Sequence, residues 1–179
     1  MATWNSRGLR GSSFEEMINY TIEDYRVRKL ALIQKVPTPI TPVNIEPESR
    51  HITLAYFDKQ STVDYIGAVQ GIPVCFDAKE CKTDTFPLAN VHEHQLKFME
   101  DMEKQDGISF LLIYYTERNE VYYLPFRDLY RFWKRMEAGG RKSFTFDEID
   151  RTYRVSLRQD LYVHFLDALQ LDLLSREEN

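Results

Sequence analysis

The sequence predicts an α/β domain with a mixed central sheet flanked by helices. Three observations carry this. Helical and strand-like segments follow one another in the order helix, strands, helix, strands, helices. Ile108 to Tyr115 is an unbroken apolar run, the pattern of a strand covered on both faces. Pro73 to Lys79 alternates, with Val74, Phe76 and Ala78 on one face and Cys75, Asp77 and Lys79 on the other. No repeat or shift in composition divides the chain. Residues 12–179 are therefore expected as one domain behind a flexible polar arm, 1–11.

The elements follow in order. Ser12 and Ser13 ahead of Glu15 and Glu16 give the serine-x-x-glutamate signature of a helix start. Phe14, Met17, Ile18, Thr21, Ile22 and Tyr25 then recur at helical spacing, so a helix is expected over 13–27. Leu30 to Lys35 reads as a short strand. Lys35 to Pro47 holds four of the seven prolines of the chain. Each proline fixes φ and removes a donor, so this segment is extended and cannot be a central strand. With Val36, Ile40, Val43 and Ile45 it is too apolar for a plain linker, and a protruding arm is expected. Ile52 to Phe57 and Val63 to Val69 alternate as strands, the second turning at Gln70-Gly71 into Pro73 to Lys79.

Val91 to Lys104 is a helix with Val91, Phe98, Met99 and Met102 inward, closed by Gln105-Asp-Gly107. Ile108 to Tyr115 and Glu120 to Leu124 form a hairpin across Glu117-Arg-Asn119. Arg127 to Glu137 is a helix ended by Gly139-Gly140, and Asp147 is placed as the cap of a short turn. Asp160 to Leu174 is a last amphipathic helix through Leu161, Phe165, Leu169 and Leu173.

At 179 residues and 43% hydrophobic, the chain can build a substantial core. It has no apolar run long enough for a bilayer and no signal-peptide core near its start, so no membrane association and a cytoplasmic location are expected. Cys75 and Cys81 form no CxxC and no Cys/His cluster, which argues against structural zinc and for free thiols. The net charge of −5 counts mildly against nucleic acid, but the local field where phosphates sit decides. Locally basic stretches are Arg26, Arg28 and Lys29; Arg131, Lys134 and Arg135; Arg141 and Lys142; and Arg151, Arg154 and Arg158. Taken singly, each reads more simply as a solvated face.

Chemistry concentrates at Asp64, Asp77 and Lys79. Asp77 and Lys79 lie two apart on a strand and point the same way. A hairpin through Gly67 to Gly71 returns the chain so that Asp77 passes beside Asp64. Two carboxylates and an ammonium at one point suit phosphodiester hydrolysis. The carboxylates attract a hard divalent cation such as magnesium, which prefers oxygen ligands. Such an ion polarises a phosphoryl oxygen and lowers the pKa of a water it holds. Lys79 can position that water and offset charge on the phosphorane. Glu15, on the first helix, joins through a water on the ion. The bare pattern is common in unrelated chains. In the plain alternative, Asp64 caps a turn while Asp77 and Lys79 form a surface ion pair. Against it, Phe76 and Ala78 imply a buried strand, where an inward carboxylate requires a partner or a metal.

Other candidates are weaker. His92 and His94 are two apart on a helix, which suits capping or hydrogen bonding better than a metal pair. Cys75 lacks a base for nucleophilic work. Phe132-Trp133 reads as core before base-stacking platform. Arg141-Lys142, after the double glycine, is the best basic candidate for phosphate contact.

Taken together, these pieces resemble the RecU family of Holliday junction resolvases over residues 5–172. The resemblance runs through Arg7-Gly8, Gly11-Ser-Ser-Phe-Glu15 with Ile18-Asn19, and Lys35-Val-Pro-Thr-Pro39. It continues in Ala55-Tyr-Phe57, Gln60-Ser-Thr-Val-Asp64-Tyr-Ile-Gly67, Phe76-Asp-Ala-Lys-Glu80, Phe86-Pro-Leu88 and His92-Glu-His-Gln95. Further on come Gln105-Asp-Gly-Ile108, Tyr123-Leu124, Phe132-Trp133 and Gly140-Arg-Lys-Ser143. So many ordered matches are far more specific than the acidic pattern.

The resemblance implies a restriction-endonuclease-like fold and a homodimer whose two sites nick opposed strands of a four-way DNA junction. It implies Asp64 and Asp77 as metal ligands and Lys79 as catalytic lysine, with Glu15, Gln95 and Thr62 close to the ion. The ion implied is Mg2+, with Mn2+ as the substitute. Asp77 stands where relatives often carry glutamate, and its shorter arm shifts where the ion would sit. Segment 36–60 corresponds to the family's projecting stalk, which enters the open centre of the junction. Arg7, Arg10, Lys35, Arg141 and Lys142 are the DNA-contact candidates, and recombinase and branch-migration proteins are the implied partners. Typical relatives are basic. The acidic balance here implies either acidic residues displaced to an outer face or weaker, more salt-sensitive binding. Two other readings stand beside this one. One is a nuclease of the same fold for duplex or flapped DNA. The other is a non-catalytic DNA-binding protein that modulates recombinase filaments.

Overall fold

The computed structural model describes residues 13–57, 62–157 and 163–177. In chain order, α1 (Ser13–Val27) leads into β1 (Ala31–Lys35), β2 (Ile40–Ile45), β3 (Ile52–Phe57), β4 (Tyr65–Val69), β5 (Ile72–Cys81) and β6 (Thr85–Pro87). Then come α2 (Glu93–Glu103), β7 (Ile108–Tyr115), β8 (Glu120–Pro125) and α3 (Phe126–Glu137). The chain continues through β9 (Ser143–Thr145), β10 (Arg154–Leu157), β11 (Val163–His164) and α4 (Leu166–Glu177).

Among the described residues seven strands form one sheet in the order β1-β4-β5-β7-β8-β10-β11. β5 and β7 run parallel, joined through α2, and the other neighbours are antiparallel. The expected mixed sheet flanked by helices is therefore present. The alternation in β5 sets the two layers. Val74 and Phe76 pack with Phe14, Ile18 and Ile22 of α1 and with Ala168 and Leu169 of α4. Cys75 and Cys81 pack with Leu96 and Met99 of α2 and with Leu129 and Phe132 of α3. Burying each such large side chain is worth about 1.5–3 kcal/mol.

Across the first layer a row of stacked rings ties four strands together. Tyr65 stacks on Phe76 with centroids 4.7 Å apart and planes 9° apart, Phe76 on Phe110 at 4.7 Å, and Phe110 on Tyr123 at 4.2 Å. Each stacked pair adds about 0.5–1.5 kcal/mol beyond its buried area. At the sheet edge, Gly67 permits the approach of β1, because a Cβ there would lie 2.1 Å from the Leu32 carbonyl oxygen. The β4–β5 turn takes the left-handed conformation at both Gln70 (φ 49°) and Gly71 (φ 90°), which matches strand twist in a two-residue hairpin.

The proline-rich segment is extended, and it pairs with its own return strand. β2 and β3 form a separate two-stranded ribbon, with every residue of β2 exposed. Its ladder shifts register between Pro42 and Asn44, where the residue without an N–H donor sits. Residues 58–60 of the expected stalk lie outside the described residues. The ribbon is inserted between β1 and β4, and its base is tied to the body. Val36 N donates to the Asp64 carbonyl oxygen at 2.8 Å.

Several expectations are corrected. The last helix begins at Leu166, not at Asp160, because Val163–His164 pairs with β10 as a strand. Helical spacing of Phe165 and Leu169 continues across that bridge, which hides the boundary in the sequence. Asp147 is not a cap but pairs with Arg151. The turn at 146–148 has Thr145 as its N-cap, and Glu148 closes the capping box by accepting from Thr145 N at 2.9 Å. Asp150 caps the next turn by accepting from Thr152 N. The second helix starts at Glu93, with Val91 buried just before it. β6, β9 and β10 were not foreseen. Neither was a buried polar network in which Asp172, fully inaccessible, accepts from Tyr123 Oη at 2.7 Å and pairs with Arg127 and Arg176. Arg176 also reaches Glu103 at 2.7 Å. No described helix is long and apolar enough to cross a membrane.

Candidate active site

The site grows out of the β4–β5 ladder. Tyr65 sits opposite Phe76, so the next step of the ladder brings Asp64 opposite Asp77. Tyr65 and Phe76 point into the ring stack, and period-two alternation sends Asp64, Asp77 and Lys79 to the other face. The stacked rings thus hold in register the two strands that carry the acidic pair.

The three side chains converge. Asp64 N donates to Asp77 Oδ1 at 2.7 Å, and Ala78 N donates to Asp64 Oδ2 at 3.2 Å. Lys79 Nζ lies 3.2 Å from Asp77 Oδ2 and 3.8 Å from Asp64 Oδ2. The Asp77 side chain is wholly inaccessible, whereas Asp64 is 30% and Lys79 18% exposed. The pair is therefore entered from the Asp64 side. A surface ion pair between Asp77 and Lys79, the plain alternative, does not describe this geometry.

Burial is the largest influence on Asp77. It pushes the carboxyl up to about 6, and the charge of Asp64 pushes the same way. Lys79 and the Asp64 N–H pull against this and do not cancel it. Asp77 Oδ2 is buried, and its nearest partner is the Lys79 ammonium, held at 3.2 Å as an ion pair. An inward carboxylate oxygen beside a second carboxylate fits a small hard cation. Among the described residues no three His, Cys, Asp or Glu side chains cluster to hold a metal. The donor set is thus two carboxylates. That suits magnesium, which keeps several waters, and does not suit structural zinc.

The remaining candidates make other contacts. Glu15 lies on α1, packed on the opposite face of the sheet, and accepts from Lys35 Nζ at 2.7 Å. Lys35 ends β1 opposite Tyr65, one residue from Asp64. Thr62 is half-buried two residues before Asp64. Gln95 is buried, and its Oε1 accepts from His92 N at 3.0 Å, so its carbonyl end braces the start of α2. His92 is the N-cap of α2 and stacks on His94 with centroids 5.4 Å apart. Arg141 is exposed and donates to Glu148 Oε1 at 2.7 Å, and Lys142 beside it is exposed. Arg7 and Arg10 lie outside the described residues. Cys75 is buried against Ser109, and burial pushes its thiol up to about 12, which makes it a poor nucleophile.

Two supporting contacts were not read from the sequence. The Val36–Asp64 bond fixes the backbone of one acidic residue to the ribbon base. Tyr65 Oη, buried beneath the site, donates to Asn19 Oδ1 on α1 at 3.1 Å. Asn19 does fall within one of the matched sequence pieces, which was the available signal.

The family model described as Recombination protein U, RecU, matches residues 9–171. The Holliday junction resolvase RecU of Listeria monocytogenes is 44% identical over 146 residues, covering 79% of this chain and 73% of that protein. The Holliday junction resolvase RecU of Pediococcus pentosaceus is 39% identical over 167 residues, covering 90% and 83%. Among solved structures, Hjc of Archaeoglobus fulgidus, described as a Holliday junction resolvase, aligns with a TM-score of 0.46 at 12% identity. That alignment covers 88% of this chain and 99% of the other.

Proposed function

This chain belongs to the recombination protein U (RecU) family, and on that premise we propose that it is a Holliday junction resolvase. In this reading it is a cytoplasmic, magnesium-dependent endonuclease that makes paired nicks in four-way DNA junctions as a homodimer. The observation that carries the proposal is the buried Asp77 carboxylate held against Asp64 and Lys79.

Asp64 and Asp77 would hold the ion, Mg2+ or Mn2+ in its place. When bound, it supplies Lewis-acid polarisation of a phosphoryl oxygen. The chain does the rest. Asp77, fixed by the Asp64 N–H, presents Oδ2 toward Lys79 with no rotational freedom left to lose. The Lys79 ammonium offsets negative charge that builds on the scissile phosphate. The Asp64 side, partly open, admits the backbone. Two-fold pairing of chains would set two such sites at a fixed separation on a substrate of matching symmetry. The exposed ribbon, rising from the Asp64 backbone, is suited to enter the junction and to read its shape rather than its sequence.

The test is a synthetic four-way junction incubated with magnesium, alongside a mass measurement of the oligomer. Symmetric paired nicks, lost with chelator, are expected. Absence of cleavage under every divalent metal tried would refute the assignment. Deleting the ribbon is expected to remove the preference for junctions over duplex. Unchanged preference would transfer the reading to a duplex nuclease.

A further inference from the structure

We propose that a cleft beside α3 is a second phosphate-binding subsite, which takes a DNA backbone phosphate remote from the bond being cut. The proposal rests on the nuclease reading above. The cleft has a volume of about 310 Å3 and is lined by Arg131, Phe132, Arg135 and Glu148. Arg131 and Arg135 are one helical turn apart, so their guanidiniums share a face, and both lie over the Phe132 ring, at 5.1 and 5.2 Å from its centre. Stacking on an aromatic face leaves the edge of a guanidinium available for an anion.

The cleft already holds one carboxylate by the chemistry that would hold a phosphate. Arg135 donates to Glu148 Oε1 at 2.6 Å, and Arg141 donates to the same oxygen at 2.7 Å. Their cationic field, with the Thr145 N–H, lowers the Glu148 carboxyl to about 2. Glu148 is therefore a fixed anion, and it is outnumbered. Arg131 has Asp128 at 3.1 Å, yet three guanidiniums still face two carboxylates. Arg135 Nε is buried without a partner, while its other nitrogens bond Glu148 and the Ser143 carbonyl. Arg135 and Glu148 form a rigid frame. Arg131 and Arg141, 64% and 58% exposed, are the arms free to turn toward a ligand.

The location agrees. Phe132 packs in the layer that contains Leu111 and Ile113, and these two sit beside Asp77 and Lys79 in the β5–β7 ladder. The cleft thus belongs to the same face of the sheet as the acidic pair. A basic frame on that face reconciles the acidic net charge of the chain with a polyanionic substrate.

The experiment measures junction binding in chelator over a salt series, for the wild type, Arg141→Gln, Arg131→Gln/Arg141→Gln and Glu148→Gln. Each phosphate contact adds about 0.9 to the slope of log K against log salt, so loss of this one contact should lower the slope of the double variant by about 0.9 and that of the single variant by less. Glu148→Gln keeps a carbonyl for the Thr145 N–H but removes a competing anion. It should tighten binding by about two- to fivefold, the worth of one exposed charge pair. A role confined to bracing the fold would not give that gain. Slopes equal to wild type in both arginine variants would overturn the proposal. So would thermal protection by inorganic phosphate without any change in the DNA slope, which would assign the cleft to a free anion. Cleavage by the wild type in magnesium is scored separately. If it cleaves while the slopes stay constant, the subsite alone fails; if it never cleaves, the nuclease reading fails.

Discussion

Replacing Asp77 by asparagine separates what the fold wants at that position from what the chemistry wants. The carboxyl titrates near 6 in the folded protein against 3.8 ordinarily. A raised carboxyl pKa means that folding favours the protonated form. Its contribution to stability is complete below about pH 4 and is lost as pH rises through 6. About two pKa units correspond to roughly 3 kcal/mol forfeited by pH 8 in the absence of metal. Asparagine stays neutral and keeps an oxygen for the Asp64 N–H, so it escapes that loss. It also turns an amide N–H2 toward Lys79 Nζ, which returns about 1 kcal/mol. The net expectation is a variant more stable than wild type by about 1–2 kcal/mol at pH 8 in chelator, a rise in Tm of roughly 2–8 °C. The advantage should vanish at pH 4. Cleavage should fall by more than about a hundredfold, since the carboxylate proposed to hold the ion is lost. Urea denaturation at both pH values, with a junction cleavage assay beside it, reads both effects. A variant that is destabilised at pH 8, or that cleaves at the wild-type rate, would refute the reasoning.

Lys79→Ala leaves the buried carboxylate facing Asp64 without its counter-ion, so cleavage should drop by about 10²-fold or more while junction binding in chelator stays near wild type; a large loss of binding would count against the assigned role. Gly67→Ala should cost more than about 3 kcal/mol in urea denaturation, because a methyl group cannot share space with the Leu32 carbonyl and β1 must separate from β4; a near-neutral effect would contradict the edge packing described. Asp172→Ala strands Tyr123 Oη and removes the buried anion between Arg127 and Arg176, for an expected loss of about 3–5 kcal/mol at neutral pH; a change under 1 kcal/mol, read from the same denaturation, would show the network to be dispensable.

What the sequence revealed follows from how local each signal is. The α1 helix and the strand Ile108–Tyr115 were legible to the residue, because helical spacing in the first and an unbroken apolar run in the second match their burial. The division of β5 into an aromatic face and an acidic face was legible for the same reason, and with it the meeting of Asp77 and Lys79. Asp64 could be added because Gln70-Gly71 fixes a two-residue turn and hence the register. Long-range pairings were not legible. β10 is four residues long, and it is defined by its partner β8 rather than by its own pattern. Asp172 and Arg176 are one turn apart on α4, and only the packing of that helix shows that Asp172 is buried. The basic stretches holding Arg131, Arg135 and Arg141 were visible singly, but their meeting was not, because Arg135 and Arg141 converge on Glu148 across a turn whose cap was placed at Asp147.

The pleat of β5 has one more consequence. Core and chemistry are written on the same ten residues in alternate letters, Phe76 inward to the rings and Asp77 outward to the acid site. A single residue inserted ahead of Phe76 would invert this reading frame, thrusting both charged groups into the ring stack and the phenyl ring into the cleft. Loss of activity and loss of folding would then arrive together, with no inactive but intact intermediate. Length changes in the exposed ribbon carry no such penalty, because no buried side chain of β2 keeps count of them. The ribbon can therefore vary far more freely than the strand that carries Asp77 and Lys79.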